Sequence, residues 1–169
     1  MNILVFSDSH GEAKRIEDVL RRQTITPDAI FFLGDGLRDI AWIIPPDDAP
    51  LYSVRGNCDF YSSRDAEDEI LINIDGVRIF AAHGHRYYVK SGYEVMAAKA
   101  ATLGADIMLF GHTHEPLAIT LQEGETVGGV TLTKTLHILN PGSIGSYGDA
   151  TFGTVTVRRG VILTAVAEF

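Results

Sequence analysis

A single cysteine, Cys58, stands among 169 residues, so no internal disulfide can form, and a reducing compartment such as the cytoplasm is expected. No apolar run approaches the roughly 20 residues that a bilayer-spanning helix needs, so no membrane partner is expected. The first residues, Met1-Asn2-Ile3-Leu4-Val5-Phe6, carry no basic group and lead straight into Asp8, unlike a secretory signal. Positive charge is scarce: 14 Lys and Arg face 22 Asp and Glu, a net charge of −8. That deficit argues against long polyanions or acidic membranes as partners of the surface. An anionic substrate would have to be drawn in by a bound cation. No internal repeat, low-complexity stretch or linker divides the chain, and one domain over residues 1–169 is expected, long enough to bury a core.

What is present is a strand–helix–strand grammar. Residues 2–7 form a continuous apolar run, as in a strand covered on both faces, ending in Asp8-Ser9-His10-Gly11. Ala13, Ile16, Val19 and Leu20 then recur at helical spacing. Residues 29–33 and 51–54 read as two further buried strands, ending in Gly34-Asp35-Gly36 and Arg55-Gly56-Asn57-Cys58-Asp59. Between them, residues 37–44 suggest a short helix stopped by Pro45-Pro46. Residues 69–74 and 77–82 flank Asp75-Gly76, a hairpin signal, and the second ends in His83-Gly84-His85. A helix is expected over 93–103, closed by Gly104. Next comes a strand over 106–110 that leads into Gly111-His112-Thr113-His114. Residues 117–121, 127–133, 136–139 and 153–169 are rich in Val, Ile and Thr and read as hairpin strands, with Gly124, Gly128-Gly129 and Arg159-Gly160 as punctuation. The pattern predicts a mixed α/β (α+β) sandwich of two sheets flanked by helices.

Five strand ends therefore carry Asp8 with His10, Asp35, Asn57, His83, and His112 with His114. Strand ends of an α/β sheet share one edge, where ligands bind. Of the six histidines, only His137 lies inside a strand, and it reads as structural. Each motif has a plainer reading: Asp8 and Asp35 could be helix caps, and Gly56-Asn57 an ordinary turn. Independent accidents at all seven positions are a poorer explanation than one site. Carboxylate, amide and imidazole donors without thiolate suit manganese, iron, cobalt, nickel or zinc, and fit a closed structural zinc site poorly. Seven donors are too many for one tetrahedral ion. They suit two ions about 3.5–4 Å apart, an arrangement that clamps an in-line displacement at phosphorus and lowers the pKa of a bridging water.

Asp8-x-His10, Gly34-Asp35, Gly56-Asn57-x-Asp59, His83-Gly84-His85 and Gly111-His112-x-His114 together resemble the ordered motifs of calcineurin-like metallophosphoesterases. Leu139-Asn140-Pro141-Gly142-Ser143 and the short chain are similar to the small bacterial and archaeal phosphodiesterases of that superfamily, to which the retromer scaffold subunit is also similar. The resemblance implies a four-layer α-β-β-α sandwich and a centre of two divalent ions, with manganese expected and nickel, iron, cobalt or zinc as alternatives. In it Asp8, His10 and His114 would hold the first ion, Asn57, His83 and His112 the second, and Asp35 would bridge them. Asp59 would fix the Asn57 loop or a neighbouring imidazole. A small phosphodiester is the implied substrate, with nucleic acid only as a substrate end, and the β-rich C-terminal third could serve self-association.

Two departures stand out. Many members carry a histidine after the asparagine as general acid, where this chain has Cys58. A thiol of ordinary pKa near 8.5 is a poor proton donor for that step, and Cys58 reads as a small buried residue. His85 or the substrate itself is then left to supply the proton, and esters with stable leaving groups should be favoured. Ser143-Ile144-Gly145-Ser146 also lacks an arginine that many relatives carry there, and Arg38, Arg55, Arg64 and Arg86 read as surface groups. A non-catalytic scaffold of the same fold is the alternative. A phosphatase using Asp8 as nucleophile is disfavoured, because His10 stands where its second aspartate belongs.

Overall fold

The computed structural model describes residues 1–60 and 66–169, so Arg64 lies outside the described residues. In chain order the first elements are β1 (Asn2–Phe6), α1 (Ala13–Arg22), β2 (Ala29–Phe32), β3 (Leu51–Ser53), β4 (Glu69–Ile74), β5 (Val77–Ala82), α2 (Glu94–Thr102) and β6 (Ile107–Leu109). The rest is strand: β7 (Leu117–Leu121), β8 (Thr126–Val127), β9 (Val130–Thr131), β10 (Leu136–Asn140), β11 (Thr151–Arg158) and β12 (Val161–Glu168). One sheet has the order β12-β11-β1-β2-β3 and the other β4-β5-β6-β10-β7, with β8 and β9 as a small separate ribbon.

The alternation of side chains along β1 explains the layers. Ile3 and Val5 face inward with Ala29, Phe31 and Leu33, and meet Ile79, Ala81, Ile107, Leu109 and Leu139 of the second sheet. Leu4 and Phe6 face the other way with Ile30 and Phe32, onto Ile16, Val19 and Leu20 of α1. The outer face of the second sheet, Phe80, Met108 and Ile138, is covered by Met96, Ala97 and Ala100 of α2. The result is the expected α-β-β-α order. Each large side chain buried in these layers contributes about 1.5–3 kcal/mol.

Three hairpins turn at residues with left-handed φ at both central positions: Asp75 and Gly76 (50° and 86°), Gly128 and Gly129 (54° and 80°), and Arg159 and Gly160 (51° and 79°). This geometry matches the twist of the joined strands. The glycine pair is why the strand expected over 127–133 is instead the two short strands β8 and β9. The helix expected over 37–44 is a 3₁₀ turn at Asp39–Trp42. Two more 3₁₀ turns, His85–Tyr87 and Val89–Ser91, fill a stretch whose sequence gave no signal. No helix among the described residues is long and apolar enough to cross a membrane.

Within the first sheet β1, β2 and β3 are parallel, and within the second β5, β6 and β10 are parallel. The carboxyl ends of all six therefore carry the loops that follow them to shared sheet edges. The two edges meet where His83 Nδ1–H donates to the Leu33 carbonyl at 2.7 Å.

Candidate metal centre

Asp8, His10, Asp35, His112 and His114 all have positive φ, between 46° and 67°. They make up five of the nine non-glycine residues in that region among the described residues. L-residues enter it at a cost, and such strain collects at functional sites. Each lies in the loop after a strand, two to five residues past its end, where the chain turns to bring its side chain to the sheet edge.

The turned side chains converge. One oxygen of Asp8 lies 3.1 Å from His114 Nε2 and 3.8 Å from His10 Nε2. The two imidazole nitrogens are 3.3 Å apart. On the other side Asp35 Oδ2 lies 3.5 Å from His83 Nε2, which faces Asn57 Oδ1 at 3.2 Å. The donor atoms of Asp8, His10 and His114 fall within 4.8 Å of one another, and so do those of Asp35, His83 and His112. Because the Leu33 carbonyl can only accept, Nδ1 of His83 carries a hydrogen and Nε2 is left to face the cluster. All seven expected ligands are brought to one place. His85 stands beside them, its ring 5.4 Å from that of His83, but belongs to neither triplet. It lines a cleft of about 460 Å³ with Asp68, Arg86 and Tyr87. A second cleft of about 640 Å³ opens from His114 past Tyr147 and Glu168. His137 is remote, hydrogen-bonded with Thr120 Oγ1 within the second sheet.

The loops are tied by side chains that accept from or donate to the backbone. Asp59, expected to fix the Asn57 loop or an imidazole, is hydrogen-bonded to no imidazole among the described residues. Its carboxylate accepts the N–H groups of Asp35, Gly36, Leu37 and Gly56 at 2.7–2.9 Å, clamping the β2 and β3 loops together. Asp39, which the sequence did not single out, takes the Ser9 hydroxyl and the Gly11 N–H. Buried Asn140 donates to the Gly111 carbonyl and Thr113 Oγ1, and Ser143 Oγ donates to the Asp8 carbonyl. Arg15 of α1 donates to the carbonyls of Ile144 and Ser146, so an arginine from elsewhere fastens the loop that lacks one. Arg86 pairs with Asp68 at 2.7 Å.

Cys58 corrects an expectation: it is exposed, not buried. It follows Asn57 at the loop tip, its N–H donates to Asp35 Oδ1 at 2.7 Å, and its thiol faces the cluster. Partial burial, with the Asp35 hydrogen bond and the nearby carboxylates, pushes the thiol up to about 11. It is a still weaker acid than the sequence suggested. Burial alone would raise Asp35, but hydrogen bonds from His83 and the Cys58 N–H hold its carboxyl far below the ordinary range. Burial would lower His83, yet Asp35 and Asp8 raise it. Burial and the positive field of His83 push His112 down to about 4 and also lower His85.

Asp8 and Asp35 are 0% and 3% exposed, and among the described residues neither pairs with a lysine or arginine. Buried carboxylates without a compensating cation are costly. The residues present thus fit divalent ions: two carboxylates with imidazole and amide donors, aimed at common points and already fixed by their neighbours.

Comparison with known proteins agrees. Residues 1–160 match the calcineurin-like phosphoesterase superfamily domain. A probable metallophosphoesterase of Bacillus subtilis, YsnB, is 31% identical over 144 residues, spanning 85% of this chain and 75% of the relative. Among solved structures, an archaeal phosphodiesterase shares the fold with a TM-score of 0.64 at 21% identity, covering 99% of this chain and all of that one. Zinc-complexed Vps29 of Entamoeba histolytica does so with a TM-score of 0.63 at 21% identity, covering 99% of each chain. The chain therefore belongs to the calcineurin-like phosphoesterase superfamily, as a metal-dependent phosphoesterase.

Proposed function

We propose that the protein is a phosphodiesterase with a dinuclear centre. Asp8, His10 and His114 would hold one divalent ion, Asn57, His83 and His112 the other, and Asp35 would lie between them. Manganese is the metal proposed. The observation that carries this reading is the pair of buried carboxylates, Asp8 and Asp35, set among imidazole and amide groups with no lysine or arginine partner among the described residues. Two dications would outweigh the two carboxylates and leave local positive charge for an anionic ester on an otherwise acidic protein. Bound there, such ions would supply an ionised water near neutral pH and offset charge developing at phosphorus.

The remaining chemistry belongs to the chain. Leu33 fixes the His83 tautomer, and Asp59 fixes the loop that presents Asp35. His85, held neutral by burial and by its neighbour, is suited to donate a hydrogen bond to the phosphoryl group and poorly suited to protonate a leaving alcohol. With Cys58 an even weaker acid, the leaving group must depart largely unaided. Diesters with acidic leaving groups are therefore the proposed substrates, and small ones, because surface charge disfavours long polyanions.

The test is metal content, followed by hydrolysis of a bis-aryl and a mono-aryl phosphate with and without added manganese. Two bound ions and faster turnover of the diester are expected. Faster turnover of the monoester overturns the diesterase assignment. No bound metal and no turnover of either ester would favour a non-catalytic scaffold.

A further inference from the structure

Cys58 contributes a third donor set. Its Sγ, a ring nitrogen of His10 and a carboxylate oxygen of Asp35 lie within 4.8 Å of one another. A thiolate about 2.3 Å and an imidazole about 2.1 Å from one ion can stand at most about 4.4 Å apart. Small rotations of the exposed Cys58 and His10 side chains close that gap. Asn57 supports the sulfur: its Nδ2–H₂ donates to Sγ at 3.3 Å while its Oδ1 faces His83. The set thus combines nitrogen, oxygen and sulfur, and it is open to solvent on the sulfur side.

We propose that Cys58, with His10 and Asp35, forms a ligand set for a thiophilic divalent ion such as zinc or cadmium. This rests on the reading that His10 and Asp35 face bound metal. The thiol gives up its proton to solvent when the ion binds. Thiolate favours soft ions, whereas carboxylate and water suit manganese, so Cys58 biases the centre toward the former. Since His10 and Asp35 belong to both sets, a soft ion held by Cys58 competes with the ions of the hydrolytic centre. The residue at the usual proton-donor position thereby becomes a determinant of which metal the protein carries.

Cobalt(II) titration of the wild type and of Cys58→Ser tests this, because serine replaces an exposed thiol and this is the only cysteine. The wild type is expected to show near-ultraviolet thiolate-to-cobalt absorption that Cys58→Ser lacks, while both show the visible bands of histidine- and carboxylate-bound cobalt. Cadmium affinity should fall in Cys58→Ser at least as far as on loss of an outer ligand partner, about 10–100-fold, with manganese affinity unchanged. Visible bands without thiolate absorption in the wild type overturn the proposal and leave the dinuclear reading standing. Equal weakening of cadmium and manganese in Cys58→Ser overturns it as well. Absence of both kinds of band overturns the proposal and the dinuclear reading together.

Discussion

One oxygen of Asp35 lies 3.5 Å from His83 Nε2, and a carboxylate oxygen also lies within 4.8 Å of a ring nitrogen of His10, so this carboxylate reaches toward both halves of the cluster. Asp35→Asn keeps the shape and removes the charge, and it is expected to lose both ions together. His114→Ala removes a donor from one half alone and should mainly weaken one. Metal counts on the purified variants check this, and equal partial loss in the two would contradict a bridging Asp35. The histidines differ in what they must shed. His83 is raised by the two aspartates, so its Nε2 keeps a proton to higher pH than an ordinary histidine does, and an incoming ion displaces it. His112, pushed down to about 4, is already neutral. Metal binding should therefore release more protons as pH falls toward the ordinary histidine value near 6.5. Calorimetry in buffers of different ionisation enthalpy reads this directly, and His83→Asn should flatten the trend while His112→Asn does not.

The loops hold these residues through contacts that have no local pattern. Asp59 binds amides 22–24 residues away, Asp39 reaches back 28–30 residues, and Asn140 reaches back 27–29. Asp59→Ala would strand four N–H groups, three of them buried, at about 1–3 kcal/mol for each buried one, part of it recovered by water. A loss of about 3 kcal/mol or more in urea unfolding is expected, accompanied by weaker metal binding. Gly56 is needed for a related reason: a Cβ there would lie 2.4 Å from the Asp35 nitrogen, so Gly56→Ala must push the two loops apart. These distances explain what could be read in advance. Strands, three hairpin turns and all seven donors announced themselves through apolar runs, paired turn residues and polar groups at strand ends. The clamps at Asp39, Asp59 and Asn140 could not, because a carboxylate bound to a distant amide looks like any other carboxylate in sequence. The exposure of Cys58 escaped for the opposite reason: cysteines in general tend to be buried, but this one stands beside the cluster with its side chain open to solvent.

At the scale of the whole molecule, metal held by the two buried carboxylates would be linked to the fold. An ion that binds only the folded chain adds about 2.7 kcal/mol of stability at a hundredfold excess over its Kd. For a chain of this length that corresponds to a rise of about 5–11 °C in Tm. Thermal unfolding with manganese and with a chelator is the check, and Asp8→Asn should shrink the difference. Yet the loops are fastened by Asp59, Asn140, Ser143 and Arg15, all of them ties of protein to protein. The edge of the two sheets thus keeps its contour when emptied, as near-constant circular dichroism on chelation would register. In hereditary terms, chemistry and form are separable traits in such a molecule. Descendants could shed a histidine at the metal cluster, forfeit hydrolysis, and still pass on an intact surface for selection to use in another way.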